Sequence, residues 1–271
     1  MKSRQLVLLL TLNIYQVFAD EVEIEADGNF QRPPPDAHLA AKIGVDHSFP
    51  MQHRSKPLGN QAKVYQEFLD GCFEKYGEPE CLSSEDSRLE LNYRQPPRMT
   101  NFTAAGYAKV KAPPSVMAIL TKFWSANTND GWGLEQEGWP AGNTYVNHWA
   151  SPSEMLSIDG PNGLSRVDKR VIEGQVGQIL SDWVGGVELV PTSTYGIRSY
   201  GEGSVLAPHI DRLPLVASAI VNVAQEVREP WPLEVIDHSG RAVNVTIEPG
   251  EMILYESHSV IHGRPYPLQG E

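Results

Sequence analysis

His209, Asp211 and His262 are the residues of this chain best suited to do chemistry. In an extended strand, positions 209 and 211 share a face, because side chains alternate with period two. A second imidazole arriving from a later strand completes a face of two nitrogens and one carboxylate oxygen. That ligand set is the facial triad that suits non-haem Fe(II). It leaves three cis positions of an octahedron open, enough for a bidentate co-substrate and O₂. A lone His-x-Asp pair also arises by chance as a surface loop with a solvated Asp, so its surroundings carry the argument.

Those surroundings read as short strands. Tyr195-Gly-Ile-Arg-Ser-Tyr200-Gly runs towards Pro208-His209-Ile-Asp211, and Leu215 to Val223 is an apolar run fit for a buried strand. Trp231 to Ile236, Val243 to Ile247 and Glu251 to Tyr255 follow, before Ser259-Val-Ile-His262-Gly-Arg264-Pro265. Asp237-His-Ser-Gly240 and Glu248-Pro-Gly250 are turn formers. This spacing predicts a β-sandwich or barrel. A His-x-Asp near its start and a His near its end can meet across the mouth.

Helices are expected ahead of these strands. Residues 62 to 77 place Val64, Phe68, Cys72 and Phe73 on one face, and Ser84-Glu-Asp-Ser87 reads as a helix start. Pro113-Pro114 opens a helix through Asn127, proline being suited to a first turn. Ser165 to Trp183 carries Val167, Val171, Ile172, Val176, Ile179 and Leu180 at helical spacing, and Gly185-Gly186 ends it. Helices followed by a β-core predict an α+β chain with a mainly β core.

The stretch from Tyr195 to Gly270, roughly the last third, resembles the prolyl 4-hydroxylase family of Fe(II)/2-oxoglutarate dioxygenases. The pieces that carry the resemblance are Tyr200-Gly, Pro208-His209-Ile-Asp211, Pro249-Gly250-Glu-Met252 and His262-Gly-Arg-Pro265. The resemblance implies a double-stranded β-helix (jelly-roll) core with supporting N-terminal helices. It also implies Fe(II), 2-oxoglutarate, O₂ and ascorbate, and a peptidyl proline as substrate. It assigns His209, Asp211 and His262 to iron, sets Tyr200 near the 2-oxoglutarate carboxylate, and aligns Ser218 with a hydroxyl that also reaches it.

One departure matters. The family holds the distal carboxylate with a Lys or Arg farther past the second His than this sequence, ending at Glu271, extends. Either the chain is truncated at its C-terminus, also lacking the strand that closes the sheet, or another cation serves. An unclosed edge would invite aggregation. Arg264 is two residues past His262 and would share its strand face. It is a candidate bidentate clamp or a structural Arg on the barrel rim.

Composition bounds the rest. The first 19 residues read as a secretory leader: Lys2 and Arg4, an apolar stretch from Leu6 to Leu12, and Val17-Phe-Ala19 before the cut. Residues 20 to about 100 form an acidic, then Pro-rich lead-in (Pro33-Pro-Pro35) and a helical segment, with the dioxygenase domain over 101–271 and its core over 187–271. The apolar leader is too short for a membrane span. A formal charge of −12 disfavours nucleic acid. Cys72 and Cys81, the only cysteines, are expected to pair in an oxidising compartment, with free thiols as the alternative. Asn101-Phe-Thr103 and Asn244-Val-Thr246 are glycosylation sequons. The expected location is the endoplasmic reticulum lumen or the exterior.

Further candidates remain open. His148, beside Trp149, suits substrate contact or a structural role; His258 is a candidate neighbour of the metal, or part of a turn; His238 sits in a turn and is expected exposed. Trp132, Trp139 and Trp149 line a proline-rich peptide groove or pack the core. Three functions stay in play: a secretory-pathway hydroxylase acting on a peptide or protein, a non-catalytic jelly-roll that binds peptide or sugar with a vestigial site, and a cupin-like metalloenzyme that uses no 2-oxoglutarate.

Overall fold

The computed structural model describes residues 7–16, 49–50, 62–128 and 133–270. Lys2, Arg4, Val17 to Ala19, Pro33 to Pro35 and Trp132 lie outside them.

Strands dominate. The large sheet uses β1 (Val7–Gln16), β2 (Tyr107–Lys111), β3 (Glu135–Gln136), β4 (Glu154–Leu156), β5 (Leu189–Tyr200), β7 (Ala217–Gln225) and β10 (Glu251–Tyr255). The small sheet uses β6 (Leu206–His209), β8 (Leu233–Ile236), β9 (Ala242–Val245) and β11 (His262–Arg264). Their orders are β2-β10-β7-β1-β5-β4-β3 and β6-β11-β8-β9, antiparallel throughout. β1, expected as part of a leader, runs between β5 and β7 in the interior of the large sheet.

Among the described residues four α-helices accompany the sheets: α1 (Ala62–Tyr76), α2 (Glu78–Arg94), α3 (Pro114–Thr128) and α4 (Arg166–Trp183). α2 starts earlier than Ser84. Proline occupies its first turn, after Gly77 at φ 90°, so Ser84 to Ser87 are interior to it. The Cys72–Cys81 disulfide forms as expected and ties α1 to α2, with Cα atoms 6.1 Å apart. By loop entropy alone such a short closure stabilises by about 2–3 kcal/mol.

In α4 the Ser165 hydroxyl accepts from the Asp168 N–H at 3.1 Å and caps the helix. Its buried stripe is Ile172, Val176 and Leu180, spaced by four. Val167 is 69% exposed and does not belong to that stripe, since five residues before Ile172 it lies on another face of the helix. α3 adds Val116, Leu120 and Phe123 to the same cluster.

The large sheet separates two cores by strand alternation. Ala217, Ala219, Val221 and Val223 of β7, with Met252 and Leu254 of β10, pack with α3 and α4. Ile220, Ile253 and Tyr255 turn the other way, towards Leu233, Val235 and Val245 of the small sheet. A third cluster joins Phe49, Tyr65, Phe68 and Leu69 to Val205 and Ala207, just before His209.

Candidate metal centre

β6 and β11 bring the two imidazoles together. His209 and His262 are register partners across the small sheet, and their ring centroids are 4.5 Å apart. β6 ends at His209, so Asp211 is not on its strand face as the spacing suggested. It lies just beyond, where the chain leaves the sheet. Its backbone N–H donates to the Ser257 carbonyl at 2.8 Å, which turns the carboxylate back towards the imidazoles. His209 Nε2 is 4.0 Å from Asp211 Oδ1, and one ligand atom from each of the three residues falls within 4.8 Å of the others.

The imidazoles are prepared as ligands. His209 Nδ1 donates to the Ala207 carbonyl at 2.8 Å, and His262 Nδ1 to the Val260 carbonyl at 2.9 Å. A carbonyl only accepts, so Nδ1 carries the proton and each Nε2 offers its lone pair. Burial holds the His209 pKa well below its usual value, and the neighbouring His262 pushes it further down. Burial also lowers His262, although Asp211 opposes the shift. Both rings are therefore neutral, the form a metal needs.

Asp211 has its own support. The Ser218 hydroxyl donates to Asp211 Oδ2 at 3.3 Å and approaches Ser257 Oγ at 2.8 Å. Ser218 thus buttresses the carboxylate from below and does not line the cavity. Below Asp211 the Tyr255 phenol is pushed well above its usual pKa by burial and by the Asp211 charge, so it stays protonated.

The three residues open into a cavity of about 500 Å³ that Tyr145, Arg198, Tyr200 and Arg264 also line. Arg264 is fully buried there. Its Nη1 donates to the Trp231 carbonyl and its guanidinium lies 4.6 Å over the Trp231 ring, while Nε and Nη2 are buried without a partner. Burial lowers its pKa to about 10, against the pull of Tyr200 and Tyr255. It remains a cation at neutral pH. A buried cation with idle donors is costly unless an anion joins it. Tyr200 packs on Trp231 at 4.9 Å and accepts from Arg198 Nη1 at 3.3 Å. Arg198 also holds Glu137 at 2.7 Å.

α2 fixes this site from outside. Arg88 Nη1 and Asn92 Nδ2 both donate to the carbonyl of Pro208, the latter at 2.9 Å, and Asn92 Oδ1 accepts from the Ile210 N–H at 3.1 Å. Gln95 Nε2 reaches the carbonyls of Asp211 at 2.7 Å and His258 at 2.9 Å. Arg88 is fully buried and pairs with Glu85, which also accepts from the Tyr65 hydroxyl at 2.8 Å. The ligand-bearing segment is thereby pinned on both sides of His209.

The remaining candidates separate from the metal. His258 is held by carbonyls at both nitrogens, Val216 at 2.7 Å and Thr100 at 3.1 Å, within a turn. His238 is not exposed: its side chain is 9% accessible, because Thr103 and Ser259 enclose it. His148 stacks on Tyr76 at 5.4 Å, and Trp149 packs on Phe68 at 5.0 Å. Trp139 alone of the three tryptophans lines the cavity among the described residues. Asn101 and Asn244 are exposed, Asn244 on the outward face of β9.

Sequence reasoning does not single out Arg198, although as the lone charged residue of β5 it offers a usable signal. Nothing local marked Arg88, Asn92 or Gln95.

No protein-family model and no curated protein sequence matches the chain. Among solved structures, one prolyl-4-hydroxylase, from Pseudomonas putida, is similar with a TM-score of 0.42 and 16% identity, over 61% of this chain and 86% of that chain.

Proposed function

We propose that this chain is an Fe(II)- and 2-oxoglutarate-dependent dioxygenase with a jelly-roll core, hydroxylating an unactivated C–H of a peptide or protein. One observation carries the reading. A neutral two-His, one-carboxylate cluster and a buried cation with idle donors open into the same cavity. A metal alone would use the first and leave the second unexplained. A metal-chelating dicarboxylate uses both.

The donor set fits Fe(II), being mixed nitrogen and oxygen, neutral at the imidazoles and confined to one face. His209, Asp211 and His262 would hold it. Fe(II) with 2-oxoglutarate supplies the activation of O₂ that a C–H hydroxylation needs. The chain's own residues do the rest. Arg264 receives the distal carboxylate, losing its unpaired donors on binding. Tyr200 and Trp231 wall the cation off from water, which strengthens that pair. The Ser218 hydroxyl holds one oxygen of Asp211, leaving the other to face the imidazoles.

The substrate is proposed as peptidyl proline in a secretory-pathway protein, with ascorbate keeping the metal reduced. The disulfide and the exposed sequons support an oxidising, secretory setting. Trp139 at the cavity wall gives a proline ring an aromatic face.

Succinate formation tests the proposal. Purified protein given Fe(II), ascorbate, 2-oxoglutarate and a proline-rich peptide in air is expected to produce succinate and a peptide heavier by one oxygen. Asp211→Ala is expected to produce neither. Iron binding without succinate would favour a vestigial binding module. Turnover without 2-oxoglutarate would favour the cupin-like metalloenzyme.

A further inference from the structure

Buried side-chain nitrogens without a partner are few among the described residues. They occur on Trp139, Arg198, Arg264 and His148. The first three residues line the metal cavity, and His148 does not. An indole N–H and the N–H groups of a guanidinium are donors only. Leaving such a donor buried and unbonded is costly. A cavity that gathers several of them is shaped for a ligand rich in acceptors.

The idle donors fall into two groups of different charge. Arg264 has no carboxylate partner among the described residues, so its Nε and Nη2 suit an anion. Arg198 is already neutralised. Its Nη2 donates to Glu137 Oε1 at 2.7 Å and its Nη1 to the Tyr200 hydroxyl at 3.3 Å, which leaves Nε alone idle. Burial would lower its pKa, yet Tyr200 and Glu137 raise it above the usual value, the opposite of Arg264. Glu137 and Trp139 belong to one segment. The Glu137 N–H donates to the Ser153 carbonyl at 2.9 Å, and its carboxylate accepts from the Ser153 hydroxyl, which anchors that segment beside β4. The Arg198 guanidinium lies 5.9 Å from the Trp139 ring. Trp139 Nε1 and Arg198 Nε are thus neighbouring donors on a wall whose charge is balanced.

That balance selects the ligand. A carboxylate here would meet the Glu137 charge with no free cation to offset it. A neutral carbonyl oxygen meets no such repulsion. A peptide main chain offers one carbonyl per residue, and at proline it brings no N–H that would itself need a partner.

We propose that Trp139 Nε1 and Arg198 Nε form a subsite for main-chain carbonyl oxygens of the substrate peptide, in the metal cavity and apart from the anion site at Arg264. The inference rests on the hydroxylase reading above. It adds which wall of the cavity holds the peptide, and that this wall selects backbone over acidic side chains.

Peptide binding to the full-length chain tests it, measured by fluorescence anisotropy with and without Fe(II) and 2-oxoglutarate, under anaerobic conditions. The probe is fluorescein-labelled decaproline. Trp139→Phe keeps the aromatic face and deletes the N–H. It is expected to weaken probe binding by the value of one neutral hydrogen bond, roughly 2- to 12-fold, and to leave 2-oxoglutarate affinity unchanged. Arg198→Lys keeps a charge for Glu137 and deletes Nε. A charged donor is lost, so the expected weakening is larger, roughly 10- to 150-fold. Should that variant fail to fold, Trp139→Phe decides alone. A parent chain that binds no decaproline, or a Trp139→Phe chain that binds it as tightly as the parent, would overturn the inference. So would a Trp139→Phe chain that loses 2-oxoglutarate instead, since the donor would then serve an anion. The hydroxylase reading fails separately, by absence of the visible charge-transfer band of Fe(II) with 2-oxoglutarate in the parent, which the anisotropy does not report.

Discussion

The two faces of the large sheet use the same strands for opposite ends. Towards α3 and α4, β7 and β10 present Ala217, Ala219, Val221, Met252 and Leu254, a wholly apolar layer. Towards the small sheet the alternate residues include Ser218 and Tyr255, which face Asp211, His262 and Arg264. One face is close-packed and satisfied. The other holds a cluster of buried ionisable groups around a cavity. Period-two alternation allows a nine-residue strand, β7, to serve both. Stability should therefore reside on the helical side and in the α2 clamp, and ligand chemistry on the cavity side.

The clamp gives the largest expected effect. Arg88→Ala strips a buried partner from Glu85 and two carbonyls, Pro50 and Pro208. Breaking a buried pair from one side costs about 3–5 kcal/mol, readable by chemical denaturation. Glu85→Ala added to it should recover part of that loss, because the stranded charge goes with it. On the apolar face, Leu120→Ala at a fully buried site should cost about 2–5 kcal/mol and leave Fe(II) affinity unchanged. A large change in Fe(II) affinity there would blur the distinction between the faces.

The cavity side should behave inversely. Arg264→Met removes a buried cation with idle donors, so the apo protein is expected to keep or raise its Tm. The same change should weaken 2-oxoglutarate by the value of a charge-assisted contact, about 1.5–3 kcal/mol, roughly 10- to 150-fold. Isothermal titration with Fe(II) present would measure it.

The smallest effect is on pH. His209 and His262 both have folded pKa values below the ordinary 6.5. The unfolded chain thus binds protons that the folded chain refuses. Their contribution to stability is full above about pH 6.5, and falls as pH drops towards the folded values. Apo-protein melts between pH 5 and 8 should show this fall, and saturating metal should steepen it by competing with protons.

Much of this arrangement was legible before the fold. The span Glu251 to Tyr255 was bounded as a strand, and Ser165 marked the start of α4, because alternation, helical spacing and capping act locally. The triad was legible because its ligands are chemically distinctive. Arg264 was legible as a candidate because it lies two residues from His262. What escaped depends on contacts distant in sequence. Asn92 touches Pro208 and Ile210 more than a hundred residues on, with nothing in its neighbourhood to announce it. His238 sits in a turn, where polar residues are usually exposed, yet the loop at Thr103 covers it. The apolar run from Val7 reads locally as a leader, and its pairing with β5 and β7 depends on residues far along the chain.

The most direct test is an anaerobic titration of the folded protein with Fe(II) and 2-oxoglutarate, followed in the visible. A metal-to-ligand charge-transfer band is expected, absent in His262→Ala and reached only at higher 2-oxoglutarate in Arg264→Met. A folded parent protein that gives no band at saturating Fe(II) and 2-oxoglutarate would contradict the assignment of these residues to a shared metal and dicarboxylate site.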